Sequence, residues 1–242
     1  MTRTSGLASV RVGVEPVVDH RPPWWSGTGS AAFGAILQGP MDALNAFTAL
    51  DPVMARLVAA YGPPALGSRR TGTSRFEQLA EAISYQQLAG KAAEAIWRRT
   101  RALVDGPFTP EAVLALGPGP LRGAGMSGAK TASLLDLAAK VDDGTVRLDR
   151  IGRLSDDDIV RHLIAVRGIG PWTAEMFLIF TLHRLDVWPV GDYGVRVGYA
   201  KAYGLPEVPT SRELAPLGER FRPYRTYAAW YCWRVAGTEQ PT

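Results

Sequence analysis

Hydrophobic residues recur at helical spacing in most segments from Met41 onward, and start and stop signals separate those segments. One apolar face lies between positions 130 and 141 and consists of Leu134, Leu137, Ala138 and Val141. Apolar positions between Phe76 and Val104 predict two helices that meet near residues 88–90. The chain shows neither an internal repeat nor an alternation of strand and helix patterns. We therefore predict an all-α fold.

Three of the predicted helices begin with a proline, at Pro52, Pro110 and Pro171, and proline is favoured at the first helical position. Asp51 precedes Pro52, where its side chain can accept hydrogen bonds from the free N–H groups of the first turn. Pro171 opens a strongly apolar stretch, which we expect to continue as one helix through Phe180.

The first 40 residues differ from the rest of the chain. Val10, Val12 and Val14 alternate with polar or small residues, as in one short strand. A Gly/Ser run at 26–30 then interrupts any regular element, although two adjacent tryptophans just before it would be buried in an ordered segment. We interpret residues 1–40 as a flexible or loosely docked N-terminal segment.

Composition restricts the chemistry that the chain can perform. A net charge of +4 and a pI near 9.4 suit a polyanionic partner without requiring one. Cys232 is the only cysteine, which excludes an internal disulfide and any four-cysteine zinc or iron–sulfur site, and the three histidines lack ligand spacing. We therefore expect no metal site. No transmembrane run or secretory signal is recognisable, so we also expect an intracellular protein.

A short turn between two predicted helices contains Gly168, Ile169 and Gly170. The two glycines permit positive φ and let the backbone approach another surface, while Ile169 can fill the gap between the helices. The restart at Pro171 leaves free N–H groups at the positive end of the second helix, where a phosphate can bind without sequence readout. Taken alone, the turn is equally compatible with an ordinary corner between helices.

Asp192 follows the Gly/Pro-rich loop 188–191 and precedes another predicted helix. Most aspartates in such positions cap the helix. A cap residue is also rigidly oriented and can face a cleft, so a structural and a catalytic role are both compatible with this position.

RGIGPWTA at 167–174 and WPVGD at 188–192 together resemble the helix-hairpin-helix, Gly/Pro-rich loop and aspartate signature of the DNA glycosylase superfamily. The pattern is most similar to the bacterial 3-methyladenine DNA glycosylase II family, which removes alkylated bases, and the 20-residue spacing from Trp172 to Asp192 agrees with it. Further similar segments are 76–88, 125–130 and 222–230. The resemblance thus covers most of residues 41–237.

The resemblance implies a fold of two helical subdomains with a cleft between them. The glycosylase domain would span residues 41–242. Its core subdomain would include about residues 76–182, and its second subdomain would combine residues 41–75 with residues 183–242.

By the same resemblance, Asp192 is the catalytic carboxylate. Cleavage of an N-glycosidic bond develops positive charge on the sugar, which an anion stabilises; the carboxylate could instead orient or deprotonate the attacking water. An alkylated purine is already cationic and leaves readily, so little general-acid help is needed, and none is evident in the sequence. Relatives that also nick the strand have a Schiff-base lysine at the position of Trp172. We therefore expect a monofunctional enzyme without lyase activity, whose reaction ends at an abasic site.

The resemblance also assigns residues that would receive an extruded base and hold the DNA. Substrate-pocket positions are Trp172, Tyr193, Trp233 and Met176. DNA-binding positions are Gln86, Gln87, Lys130, Arg167, Gly168, Ile169, Gly170, Thr173 and Arg196, with Gln87 as the wedge that fills the vacated stack. Core packing of the rings and solvation of the polar side chains are the simpler alternatives.

The expected partner is double-stranded DNA that contains damaged bases, bound by a monomer and without membrane contact. The resemblance implies no cofactor, with a monovalent cation at the hairpin left open, and a bacterial cytoplasmic location at the nucleoid. Two other functions stay open at this point. One is a related glycosylase for deaminated or oxidised purines, and the other is a non-catalytic helix-hairpin-helix DNA-binding protein.

Overall fold

The computed structural model describes residues 38–66, 72–88 and 90–237, and the regular structure within these ranges is helical throughout. The helices are α1 (Gln38–Leu50), α2 (Pro52–Tyr61), α3 (Arg75–Tyr85), α4 (Gly90–Arg101), α5 (Pro110–Leu116), α6 (Pro118–Gly123), α7 (Gly128–Asp142), α8 (Asp156–Ile164), α9 (Pro171–Met176), α10 (Tyr193–Tyr203), α11 (Ser211–Leu217) and α12 (Arg225–Ala236). The all-α prediction is confirmed. The short strand and most of the segment 1–40 lie outside the described residues.

The predicted helix starts and breaks are confirmed at several places. Asp51 caps α2, because its Oδ1 accepts hydrogen bonds from the backbone N–H groups of Val53 and Met54 at 2.8 and 3.1 Å. Helix α3 ends at Tyr85 and α4 begins at Gly90, which places the break where the apolar pattern indicated.

The helix that begins at Pro171 differs from its prediction. Helix α9 ends at Met176, and residues Phe177–Thr181 form a π-helical turn, in which the Leu182 N–H donates to the Phe177 carbonyl at 3.0 Å. Phe177, Leu178 and Ile179 are all buried. Consecutive burial removes the one-sided pattern that distinguishes an α-helix, so the sequence could not show where the hydrogen bonding widens.

The helices form two packed groups. Helices α3 to α9 make the first group, in which α7 packs against α3, α5 and α6, and α8 packs against α9. Helices α1, α2, α10 and α12 make the second group, with α12 against both α10 and α2. Buried apolar side chains fill both groups, among them Leu79, Ile83, Leu134 and Leu137 in the first and Phe47, Met54, Tyr199 and Tyr231 in the second. Trp233 of α12 and Phe180 of the π turn stack across the two groups, with ring centroids 5.9 Å apart.

Helices α10 and α12 pack with their backbones close together. Gly198 lies on α10, and a Cβ added there would collide with the backbone carbonyl of Cys232 on α12. Because backbone cannot rotate away as a side chain can, only glycine fits at this position. The contact holds the start of α10 against α12, which matters for the site described next.

None of the helices in the described ranges combines the length and apolarity needed to cross a membrane.

Candidate active site

Asp192 is the N-cap of α10. Its Oδ1 accepts a hydrogen bond from the Val195 N–H at 2.8 Å, and its own N–H donates to the Pro189 carbonyl at 2.9 Å. The preceding loop is anchored because the Trp188 indole donates to the Leu214 carbonyl at 3.1 Å. Asp192 is therefore rigidly placed, with 7% of its surface exposed.

Two tryptophans from different helix groups also bind the Asp192 carboxylate. The Trp172 indole Nε1 donates to Oδ2 at 2.7 Å, and the Trp233 indole Nε1 donates to Oδ1 at 2.9 Å. No arginine, lysine or histidine pairs with this carboxylate in the part of the chain that the structure describes. Since an ionised carboxylate has about four acceptor positions, three donors leave room for one more contact. The carboxylate is oriented by neutral donors, and no cation neutralises it.

The predicted pocket residues differ in exposure. Trp172 is 38% exposed although its Nε1 is tied to Asp192, and Tyr193 is 65% exposed, with the Arg196 guanidinium 5.4 Å from its ring centre. Trp233 is only 1% exposed, and Met176 is also buried. The structure thus presents the Trp172 and Tyr193 rings to solvent, whereas Trp233 forms the buried support of the carboxylate.

The hairpin uses its glycines in two different ways. Gly168 has φ +76°, and a Cβ there would collide with the Ser133 hydroxyl of α7. Gly170 has φ −96°, so it does not adopt the positive φ that glycine permits, and no atom lies within 4 Å of where its Cβ would be. Ile169 is buried between them, as the sequence predicted. The hairpin is therefore packed tightly on one side and open on the other.

Other elements hold the hairpin in place. The Gln86 Nε2 donates to the Gly168 carbonyl at 3.0 Å and to the Thr173 hydroxyl at 3.4 Å. The Arg167 backbone N–H donates to Oδ2 of Asp136 on α7 at 2.7 Å. Gln86 and Thr173 therefore link the α3–α4 turn to the hairpin, and the Arg167 side chain is left exposed.

The α3–α4 turn lies beside the hairpin. Gln87 is exposed and has φ +56°, which is unusual for a residue other than glycine and concentrates at functional positions. Leu88 beside it is exposed as well. Lys130 donates from its Nζ to the Ser84 carbonyl at the end of α3 at 2.8 Å, and partial burial lowers the pKa of Lys130. Lys130 thus stabilises the end of α3 that leads into the turn, while Gln87 is exposed on the turn.

Glu175 is not among the site residues predicted from the sequence. This carboxyl group lies on α9, three residues after Trp172, and is half-buried. Burial, followed by the negative charge of Asp192, raises the pKa of Glu175 to about 7. The only sequence signal was an acidic residue within an otherwise apolar stretch, at the spacing that places it on the same helix face as Trp172.

Comparisons with known proteins show which family the chain belongs to. Residues 80–223 match the HhH-GPD superfamily of base excision DNA repair proteins. The DNA-3-methyladenine glycosylase 1 of Schizosaccharomyces pombe is 35% identical over 190 residues, which are 77% of this chain and 83% of that protein.

Two solved structures are similar throughout most of the chain. The 3-methyladenine DNA glycosylase of Schizosaccharomyces pombe in complex with abasic DNA has a TM-score of 0.67 at 33% identity, covering 80% of this chain and 95% of that one. A DNA-3-methyladenine glycosidase from Bacillus halodurans has a TM-score of 0.73 at 33% identity, covering 81% and 89%. The chain belongs to the HhH-GPD superfamily of base excision DNA repair proteins.

Proposed function

We propose that this chain is a monofunctional DNA glycosylase that turns alkylated purines out of duplex DNA and hydrolyses their N-glycosidic bond. The main support for this proposal is the environment of the Asp192 carboxylate. The carboxylate is held by two indoles and a helix N-terminus and has no cationic partner among the described residues. A fixed anion of this kind stabilises the positive charge that develops on the sugar as the base departs.

The surroundings of Asp192 suit an extruded base. The exposed rings of Trp172 and Tyr193 lie at the starts of α9 and α10, and Asp192 caps α10. An electron-deficient alkylated purine stacks on such rings and is attracted by their electron-rich faces. Because position 172 carries an indole, it offers no amine for a Schiff base, which supports hydrolysis without strand cleavage.

The hairpin and the α3–α4 turn would grip the DNA. The open side of Gly170 lets a phosphate approach the backbone, and the first N–H groups of α9 have no side-chain cap. The exposed Arg167 and the Arg196 guanidinium beside Tyr193 would add positive charge near the backbone. Contacts of this class position the duplex without reading its sequence.

We propose that the protein acts on DNA as a monomer and needs no cofactor, because Asp192 and a water molecule supply the groups that hydrolysis requires. The substrate would place it at the chromosome. A monovalent cation at the hairpin would strengthen DNA binding without taking part in the reaction. Base release should therefore be unaffected by EDTA, and exchange of potassium for a larger organic cation should change DNA affinity alone.

A lesion panel tests the proposed function. Duplexes that contain one 3-methyladenine, 7-methylguanine, ethenoadenine, hypoxanthine or 8-oxoguanine are incubated with the protein, and free base is measured by chromatography. We expect release of the methylated purines, with no release from undamaged duplex. Preferential release of 8-oxoguanine would favour the oxidised-purine alternative, and binding without release of any base would favour a non-catalytic protein.

Substitution of Gln87 tests the wedge. Gln87→Ala should slow the release of a paired 7-methylguanine by about tenfold, because the vacated stack would no longer be filled and extrusion costs a few kcal/mol. The effect should shrink when the lesion lies opposite an abasic site, where extrusion costs less. Gln78→Ala is the control, since Gln78 bonds the Thr73 carbonyl at the other end of α3. An equal loss on both duplexes would contradict a wedge role.

A further inference from the structure

A second carboxyl group lies on α9, the helix that carries Trp172. Glu175 follows Trp172 by three residues on α9, and residues at that spacing are neighbours on one helix face. The Trp172 indole on the same face reaches Oδ2 of Asp192. Glu175 is therefore placed next to the indole that orients the first carboxylate, and the negative charge of Asp192 acts on it.

Glu175 differs from comparable acidic residues because no side chain or backbone group of the described residues bonds it. Glu77 pairs with Arg101, Asp136 with Lys140, and Asp186 with Arg225. The Glu175 carboxyl oxygens are not fully enclosed by the protein and reach solvent. Such a group remains available to a bound molecule.

Burial and the Asp192 charge together raise the pKa of Glu175 to about 7. Near neutral pH a large share of Glu175 therefore carries a proton that it can donate. General acids are most effective when their pKa lies close to the working pH. Two carboxyl groups with different environments are a common way to divide anion and acid roles in one site.

The need for an acid depends on the lesion. A cationic methylated purine leaves as a neutral base, so the anion at Asp192 suffices. A neutral lesion such as hypoxanthine or ethenoadenine would leave as an anion unless it receives a proton. We propose that Glu175 is the proton donor to the leaving base when the lesion is a neutral purine, so that one site releases both cationic and neutral damaged purines. This inference rests on the proposed glycosylase function.

The O–H bond of Glu175 breaks and its proton passes to a ring nitrogen of the purine, while the C1′–N9 bond breaks and its electron pair stays on the base. Asp192 stabilises the positive charge left on the sugar. Water then adds to C1′, and the proton that this water loses returns to the Glu175 carboxylate. The products are the neutral base and an abasic site, and the acid is restored.

A pH dependence follows for neutral lesions. Their release requires protonated Glu175, so the rate should fall as the pH rises above about 7. Among the described residues, the charged group that raises the pKa of Glu175 is Asp192 at the start of α10. Burial, followed by the charge of Asp192, also raises the pKa of the Cys232 thiol on α12, so the thiol stays neutral through this range.

The test compares Glu175→Gln with the unchanged protein on two duplexes under single-turnover conditions, one with hypoxanthine and one with 7-methylguanine. We expect the loss on hypoxanthine to exceed the loss on 7-methylguanine by about 100-fold, the lower end of general-acid contributions. The fall of hypoxanthine release above about pH 7 should also vanish in the variant. Glu111→Gln, at an exposed position on α5, is the control for loss of one acidic residue.

Several outcomes would overturn the proposal. An equal loss on both lesions would show that Glu175 only supports the structure, and unchanged release of both bases by the variant would show that it donates no proton. Unchanged protein that releases 7-methylguanine but not hypoxanthine would overturn the proton-donor role and leave the proposed function intact. Unchanged protein that releases neither base would contradict the proposed function as well. Thermal unfolding of the variant separates these outcomes from misfolding, since removing an unpartnered acid beside Asp192 should not lower stability.

Discussion

Asp192→Asn should lower base release from a 7-methylguanine duplex by about 1,000-fold while DNA binding survives. A unit charge about 4 Å from the sugar stabilises a cation by about 4 kcal/mol at an effective dielectric constant of about 20, and each 1.36 kcal/mol is about a tenfold change in rate. Asparagine caps helices as well as aspartate does, so α10 should still begin at the same place. The measurement is a single-turnover release assay beside a binding titration with the same duplex.

The control is Asp51→Asn. Asp51 is a buried N-cap like Asp192, but it caps α2 and pairs with Arg220. Its substitution should lower stability and leave the rate of base release per folded molecule unchanged. If the Asp192 variant released base as fast as the unchanged protein, the catalytic role of this carboxylate would be wrong.

Gly198→Ala should lower the free energy of unfolding by about 3 kcal/mol, at the upper end of the usual overpacking cost. The added Cβ would collide with the Cys232 carbonyl, and two helix backbones would have to separate to accommodate it. For a chain of this size the loss corresponds to a fall of about 10 °C in Tm. Chemical and thermal denaturation followed by circular dichroism would measure both values.

The same substitution should also weaken the site, because the α10–α12 contact holds Asp192 against the Trp233 indole. Gly128→Ala is the matched control, since Gly128 opens α7 and no atom lies within 4 Å of its Cβ position. The control should change stability by less than about 0.5 kcal/mol, as surface substitutions usually do. A Gly198 variant as stable as the control would show that the two helices can separate at little cost.

Features that depend on local signals could be predicted from the sequence. The cap at Asp51, the break between α3 and α4 and the buried position of Ile169 all follow from short-range patterns. The placement of Asp192 at a helix start was predictable for the same reason. Its spacing from Trp172 matched a family signature, and the structure brings those two side chains into hydrogen-bond contact.

Features that depend on contacts between distant segments could not be predicted. Trp233 lies 41 residues after Asp192, and only the packing of α12 on α10 shows that its indole supports the carboxylate. The sequence does not show that Gly198 must be glycine, because only the position of α12 leaves no space for a side chain there. The hydrogen bond from the Lys130 ammonium group to the end of α3 likewise depends on the packing of α7 against α3. Glu175 gains its importance from burial and from the Asp192 charge, neither of which a single sequence displays.

The anion at Asp192, with Trp172 beside it, should assist cleavage of the base–sugar bond and leave the strand intact. One end-labelled duplex that contains a single 7-methylguanine tests this claim, with strand length measured before and after hot alkali. We expect free 7-methylguanine and a full-length strand that breaks at the lesion only after alkali. A strand that breaks at the lesion in neutral buffer with pure protein, or an alkali-resistant strand without released base, would contradict the account.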